Sequence, residues 1–121
     1  MRALLAFALI ASAQAGDVER GRALVADRTQ SLCLLCHSLT TAADPNQGNL
    51  APPLQAAARL SPQELRDRIA DMRRFNPATV MPPFRTTEGL RDVAPAWQGR
   101  TALTEQQLDD IVAYLRTLGT P

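Results

Sequence analysis

Two thiols and one imidazole lie within five consecutive residues, Cys33-Leu34-Leu35-Cys36-His37. The chain has 121 residues, and the motif holds its only two cysteines and its only histidine. Thiols at this spacing can add to the two vinyl groups on one edge of a porphyrin, and the imidazole that follows can then ligate the iron. The motif therefore predicts one covalently bound c-type haem, attached through Cys33 and Cys36, with His37 as the proximal ligand.

A redox-active dithiol, a zinc clip and a disulfide are the alternative interpretations of this motif. Thioredoxin-like pairs lie at a helix start within a βαβ pattern, and the sequence shows no such strands. Structural zinc sites use about four Cys or His ligands, more than the chain contains. A disulfide would leave His37 without a purpose, so haem attachment is favoured.

The first 15 residues indicate export from the cytoplasm. Arg2 is followed by an apolar run over residues 3–12 and by Ala13-Gln14-Ala15, a cleavage site of the A-x-A type. The apolar run is shorter than the roughly 20 residues that cross a bilayer. We therefore expect a signal peptide over 1–15, a single periplasmic domain over 16–121, and no membrane span in the mature protein.

The balance of charges indicates no nucleic-acid partner. Without Arg2, the mature chain has 12 basic and 12 acidic residues and is formally neutral. Aromatic residues are scarce, and a buried haem would add a large apolar body to the core of this small domain.

Capping residues and apolar spacing predict a helix near each end of the mature chain. The first begins after Asp17, ends before Ser31 and places Gly21 on its apolar face, where we expect a close backbone contact. The last begins at Thr104, carries a continuous apolar face and ends at Gly119, which is typical of a left-handed helix end.

A further helix begins after Ser61, with Pro62 at its first position and Glu64 closing a capping box. We expect it to stop by Phe75 and to be preceded by a short helical turn over residues 55–60. The remainder, including 40–53 and 76–100, is predicted as loops, in which residues 87–91 form at most a turn of helix. No strand is predicted, and the fold class is all-α.

Two methionines of the mature chain are candidates for the second axial position of the iron. Met72 falls on the apolar face of the second helix, where a methionine is usually part of the core. Met81 lies in the loop 76–84, whose three prolines fix φ and stiffen the chain. We predict Met81 as the ligand; His/Met ligation raises the reduction potential and leaves no open iron site, which favours electron transfer.

Further residues are candidates for supporting roles around a haem. The carbonyl of Pro52 is the candidate acceptor for the Nδ1 hydrogen of His37, and the alternative is that this proline only stiffens the loop. The candidates for contact with the haem propionates are Arg59, Arg73, Arg74 and Trp97. For these arginines the favoured alternative is solvated surface, and for Trp97 it is the core. Arg85, Arg91 and Arg100 are candidates for docking a partner, and solvated surface is again the favoured alternative.

The order of these elements resembles a class I cytochrome c, in which the terminal helices pack across each other beside a covalently bound haem. Longer runs are similar to the SoxX family, the monohaem subunit of the SoxAX cytochrome. They are Asp27-Arg28 before the haem motif, Gln47-Gly48-Asn49-Leu50-Ala51-Pro52, Arg73-Arg74-Phe75-Asn76-Pro77-Ala78-Thr79-Val80-Met81-Pro82, and Gly89-Leu90-Arg91-Asp92-Val93-Ala94-Pro95-Ala96-Trp97. In that family Cys33, Cys36, His37 and Met81 match the haem-attachment and axial positions.

The resemblance also implies an activity and partners. SoxAX couples thiosulfate oxidatively to a cysteine of the SoxYZ carrier, acting as an L-cysteine S-thiosulfotransferase, and passes the electrons to a cytochrome c acceptor. Because the haem uses both thiols of this chain, we expect the sulfur chemistry to lie on a SoxA-like cytochrome subunit. The alternative is a free-standing electron shuttle without an enzyme partner.

Overall fold

The structure, a computed structural model, describes residues 15–39 and 45–119. It contains three α-helices, α1 (Val18–Ala26), α2 (Pro62–Ala70) and α3 (Glu105–Thr117). Four 3-10 segments join them, at Cys33–Leu35, Leu54–Arg59, Met72–Arg74 and Pro95–Trp97. No strand occurs in these described ranges, so the all-α prediction is confirmed, whereas the predicted signal peptide lies outside them except for Ala15.

The helices α1 and α3 pack directly across each other, and a glycine makes this possible. A Cβ atom on Gly21 would lie 1.9 Å from the carbonyl oxygen of Asp110 and 2.8 Å from the Cβ of Tyr114. Val25, one turn later on α1, is fully buried. The predicted crossing of the terminal helices and the predicted backbone contact at Gly21 are therefore both present.

A single apolar core joins the three helices to the loops. It takes residues from every helix and from the segments 33–35, 54–59 and 84–103. Its buried members are Val25, Leu34, Leu54, Leu65, Ile69, Phe84, Leu103, Leu108, Ile111, Val112, Tyr114 and Leu115. Within the described ranges, no helix is both long and apolar enough to cross a membrane.

A buried carboxylate fixes the crossing of α1 and α3. Asp110 is 2% exposed and accepts hydrogen bonds from the backbone N–H of Asp17 at 2.7 Å and from Nε of Arg20 at 2.8 Å. Nη2 of Arg20 and Nε2 of Gln106 donate to it as well, each at 3.0 Å. The Arg20 guanidinium holds the pKa of the Asp110 carboxyl below its ordinary value, against the opposing effect of burial.

The second helix is shorter than the sequence pattern predicts. It ends at Ala70, because Asp71 is extended (φ −160°, ψ 94°) and its carboxylate accepts a hydrogen bond from the backbone N–H of Arg73. The helix stops before Phe75, as predicted, but Met72 starts a 3-10 turn, so its predicted place on the apolar face of α2 is wrong.

The capping predictions are confirmed for α3 and only half confirmed for α2. Thr104 and Gln107 form the complete capping box of α3. At α2, the hydroxyl of Ser61 accepts from the backbone N–H of Glu64, but the Glu64 carboxylate accepts from the Arg68 guanidinium at 2.9 Å. The ion pair along the helix thus replaces the second half of the box.

Two further expectations about turns need correction. Gly119 is not left-handed, and its need for a glycine comes from packing, since a Cβ there would lie 2.6 Å from the Cβ of Ala58. Residues 87–91 contain a turn at Glu88 and Gly89 and no helix, whereas the predicted loop 76–100 contains the 3-10 turn at Pro95–Trp97.

Removal of the charge at Asp110 should reduce stability in a pH-dependent way. Because its pKa is lower in the folded state, the stabilisation is complete above about pH 4, the ordinary carboxyl range, and is lost as the pH falls through the folded value. Asp110→Asn should therefore cost about 2 kcal/mol at pH 7. The difference in the free energy of unfolding between the variant and the wild type should shrink in acid, as measured by urea unfolding at pH 7 and at pH 3.

The control for this comparison is Glu19→Gln, because Glu19 is 76% exposed and pairs with Arg22 only at 3.4 Å. It should change stability by less than about 0.5 kcal/mol. An Asp110→Asn variant whose deficit is equal at pH 7 and at pH 3 would contradict the assigned role of the ionised carboxylate.

Candidate functional site

The motif Cys33 to His37 folds as a tight 3-10 turn that starts from an unusual backbone conformation. Leu32 precedes the turn with φ 60° and ψ 6°, a left-handed geometry that costs a non-glycine residue about 1–2 kcal/mol. The carbonyl of Cys33 accepts from the backbone N–H groups of Cys36 at 3.2 Å and of His37 at 2.9 Å. Leu34 is buried in the core, so the turn has a fixed orientation.

The loop that follows the motif is bound to it by backbone hydrogen bonds. The N–H of Gly48 donates to the carbonyl of Leu34 at 2.8 Å, and those of Leu50 and Ala51 donate to the carbonyl of Cys36 at 3.0 Å each. A Cβ on Gly48 would lie 2.5 Å from the Cα of Cys36, so only glycine fits this contact. The loop is therefore held in one register beside the motif.

This register brings Pro52 to the histidine. The carbonyl oxygen of Pro52 lies 2.6 Å from Nδ1 of His37. A carbonyl can only accept, so the hydrogen of the neutral imidazole is on Nδ1 and the lone pair is on Nε2, which is the form that ligates a metal. The predicted contact between these two residues is present. Ligation of iron by His37 stays a prediction.

The environment of Cys33 disfavours a reactive dithiol. Both Cys33 and Cys36 are half-buried free thiols. Burial raises the pKa of the Cys33 thiol, although a contact with Ser31 opposes this effect. Nucleophilic cysteines of redox pairs have lowered pKa values in electropositive surroundings, so the structure favours a different use of these thiols.

Met81 lies in the loop after α2 and packs against the core. Its side chain is half-buried, whereas the neighbouring Val80 is 90% exposed. The backbone N–H of Met81 donates to the hydroxyl of Thr79 at 3.1 Å, and the N–H of Thr79 donates to the carbonyl of Asn76 at 3.0 Å. These bonds give the loop a defined shape. Met72 is half-buried in its 3-10 turn, and the choice of Met81 as axial ligand stays a prediction.

The arginine and tryptophan candidates do not share one environment. Arg73 is held by Asp71 at 2.8 Å and by the carbonyl of Glu88 at 3.1 Å, so it is not freely solvated. Trp97 is 47% exposed, with the Arg100 guanidinium 4.8 Å from its ring centroid, and the core alternative is wrong for it. Arg59, Arg74 and Arg91 are exposed, and contacts with haem propionates stay predictions.

Sequence reasoning missed two residues that shape the site. The sequence places Gly48 only in the predicted loop 40–53, and its contact with the Cys36 backbone depends on a fold that no local pattern reveals. Arg28 donates to the carbonyl of Asn46 and weakly, at 3.5 Å, to that of Leu34, which ties the loop to the motif from outside. In the sequence, only the position of Arg28 shortly before the motif pointed to such a role.

These residues fit a c-type haem. Two thiols separated by two residues lie on one turn, and the adjacent imidazole has its Nε2 lone pair free of hydrogen bonds within the described residues. A thioether is available in a stiff loop. Cys33, Cys36 and His37 would hold the haem, and Met81 would complete the axial pair.

Comparisons with known proteins identify the family and the fold of the chain. The family model described as Cytochrome c matches residues 18–119. No curated protein matches the sequence. Among solved structures, the chain is similar to one in the crystal structure of SoxXA from P. pantotrophus, with a TM-score of 0.75 and 28% identity. That similarity covers 87% of this chain and 83% of the other. The predicted resemblance to the SoxX family and the class I cytochrome c-like fold are confirmed.

Gly48→Ala should disturb the haem site through the loop. The added methyl group must displace Leu50, Ala51 and Pro52 from the motif, at a cost of about 2 kcal/mol. A weaker hydrogen bond from His37 to Pro52 would make the imidazole a poorer donor, so the reduction potential of the loaded protein should rise. Potentiometric titration and thermal unfolding measure the two effects.

The matched control is Gly119→Ala, which also creates a close contact, but with the Ala58 side chain. It should reduce stability and leave the reduction potential unchanged. If Gly48→Ala changed neither stability nor potential, the loop would not control the orientation of His37.

Proposed function

This chain belongs to the cytochrome c family, and on that premise we propose that it is the monohaem electron-transfer subunit of a SoxAX-type L-cysteine S-thiosulfotransferase. The observation that carries the proposal is the similarity to a chain of SoxXA over most of both chains. The tight Cys33–His37 turn, with Nδ1 of His37 hydrogen-bonded to Pro52 at 2.6 Å, supports its haem-binding part. Membership of the family implies covalently bound haem c, and we propose one haem per chain because the sequence has one attachment motif.

The residues of this chain bind and orient the cofactor. Cys33 and Cys36 anchor it as two thioethers, and Pro52 fixes the imidazole plane and the tautomer of His37. Met81 supplies a thioether from a loop packed on the core, which raises the reduction potential. When bound, the haem supplies a one-electron ferric/ferrous couple.

The inventory of reactive groups limits what this subunit does. Coupling of thiosulfate to a carrier cysteine releases two electrons and one proton and leaves an S–S bond to the carrier. In this chain both thiols and the imidazole are committed to the haem. We therefore assign bond formation to a SoxA-like partner subunit, and to this chain the relay of two electrons, one at a time, towards a cytochrome c acceptor.

The location and the partners follow from the same proposal. The chain acts in the periplasm after removal of residues 1–15, beside the SoxA-like cytochrome and a SoxYZ-like carrier. The similarity to a chain of SoxXA supports the heterodimer, because it extends over most of both chains.

Substitution of Met81 tests the proposed axial ligand. Met81→Ala should abolish the sulfur-to-iron charge-transfer band of the oxidised protein and lower its reduction potential, because the thioether favours the ferrous state. Met72→Ala, the matched control, should keep both. Loss of the band in Met72→Ala with its retention in Met81→Ala would assign the ligand to the other methionine.

Reconstitution tests the proposed activity. A tagged chain, purified from cells grown on thiosulfate, should carry a larger SoxA-like cytochrome in equal amount. The pair should couple thiosulfate to a carrier cysteine, detected by mass spectrometry, and should reduce added cytochrome c. A strictly monomeric chain would favour the free-standing shuttle, and coupling by the isolated chain would contradict the division of labour.

A further inference from the structure

We propose that Arg85 is a positioning residue for Met81, which clamps the methionine loop to the segment before α3 and so holds the thioether at the iron. The inference rests on the proposed function, since it requires Met81 to be the axial ligand. It assigns a role to a residue whose type alone indicated solvated surface.

The Arg85 side chain is turned inward and saturated with partners. It is 22% exposed, and its Nη1 donates to the hydroxyl of Thr101 at 2.6 Å and to the carbonyl of Leu103 at 2.8 Å. Its Nε donates to the carboxylate of Glu105 at 3.0 Å, and Nη2 contacts the same oxygen. One guanidinium thus binds a hydroxyl, a carbonyl and a carboxylate at the start of α3.

The backbone at this position is fixed as well. The N–H of Arg85 donates to the carbonyl of Ala70 at the end of α2, at 3.1 Å. The N–H of Leu103 donates to the carbonyl of Phe84 at 3.1 Å, and both of these residues are buried, with 1% and 5% exposure. Residues 84 and 85 are therefore anchored to α2 and to the α3 segment at the same time.

This anchor reaches Met81 through a stiff connection. Only Pro82, Pro83 and Phe84 separate Met81 from Arg85, and each proline ring fixes φ near −65°. On the other side of Met81, the hydrogen bonds that residues 76–80 make within the described part of the chain are local. They join Asn76 to Met72, Ala78 and Thr79, and Thr79 to Met81. The loop is thus tied to distant parts of the fold mainly through the Arg85 side.

The chain offers a matched control in Arg66. Its side chain is 27% exposed and pairs with the same Glu105 carboxylate and with Asp109, but it belongs to α2. Arg66→Gln therefore removes a comparable ion pair at the start of α3 without touching the methionine loop.

The test measures how readily the sulfur leaves the iron in the haem-loaded, oxidised protein. Imidazole is titrated into the wild type, Arg85→Gln, Arg66→Gln and Met81→Ala, and the loss of the sulfur-to-iron band is followed. Imidazole binds only when Met81 is displaced, so its apparent affinity reports the displaced fraction. We expect imidazole to bind Arg85→Gln about tenfold more tightly than the wild type, and Arg66→Gln within about twofold of it.

Thermal unfolding of the same proteins separates positioning from general stability. Both arginine variants should unfold at lower temperature, whereas only Arg85→Gln should gain imidazole affinity. Arg85→Lys, which keeps the charge but loses the fork of donors, should fall between Arg85→Gln and the wild type. Equal imidazole affinity in Arg85→Gln and the wild type would overturn the clamp and leave the proposed function standing.

Two further results bear on the clamp, namely failure of Arg85→Gln to load haem and unchanged imidazole binding by Met81→Ala. If Arg85→Gln yields no loaded protein, Thr101→Val replaces it, since it removes one acceptor of the guanidinium. Unchanged imidazole affinity in Thr101→Val then overturns the clamp. If Met81→Ala binds imidazole as the wild type does, Met81 is not the ligand, and both the clamp and the proposed axial pair fail.

Discussion

The hydrogen bond from Nδ1 of His37 to the carbonyl of Pro52 is the contact on which the site depends. It fixes the tautomer, and so decides that Nε2 is the nitrogen available to a metal. It exists because the loop is held beside the motif, and the loop is held because Gly48 lies against the Cys36 backbone. A glycine with no reactive group thus determines the orientation of the only imidazole in the chain.

The rest of the fold holds this arrangement from two sides. At one side, α1 and α3 cross at Gly21, and the buried carboxylate of Asp110 binds Arg20 across the interface. At the other, Arg85 binds the methionine loop to the start of α3. Because α3 takes part in both, its position relates the motif that follows α1 to the loop that follows α2.

The sequence predicts the parts of this molecule that depend on local chemistry. Capping residues predict α3, because Thr104 and Gln107 satisfy each other's backbone groups within one turn. The contact between His37 and Pro52 was predicted from what a haem histidine needs. The end of α2 before Met72 was missed, because Asp71 adopts an extended conformation whose carboxylate binds Arg73, and apolar spacing carries no information about such a bond.

A second kind of error concerns side chains whose burial depends on distant parts of the chain. Arginine is a residue type that is usually exposed at the surface. The partners of Arg85, however, are Thr101, Leu103 and Glu105, which lie 16 to 20 residues later in the chain. Trp97, by contrast, belongs to a residue type that is usually buried, and it is half exposed. Burial of a side chain follows from the tertiary fold, and amphipathic residues adapt to either environment.

An electron relay needs iron ligands that keep the same positions in both oxidation states. This requirement explains why the His37 ring and the loop that carries Met81 are held in different ways. His37 is fixed by a short hydrogen bond to a backbone carbonyl, whereas Met81 has a flexible, uncharged side chain that bonds no protein donor strongly. The histidine can therefore be oriented through its own ring, whereas the methionine side chain, which packs on the core without such a bond, is positioned mainly through its backbone. On the proposed ligation, this accounts for the prolines that follow Met81 and for the arginine four residues later, whose side chain makes the hydrogen bonds with the rest of the fold.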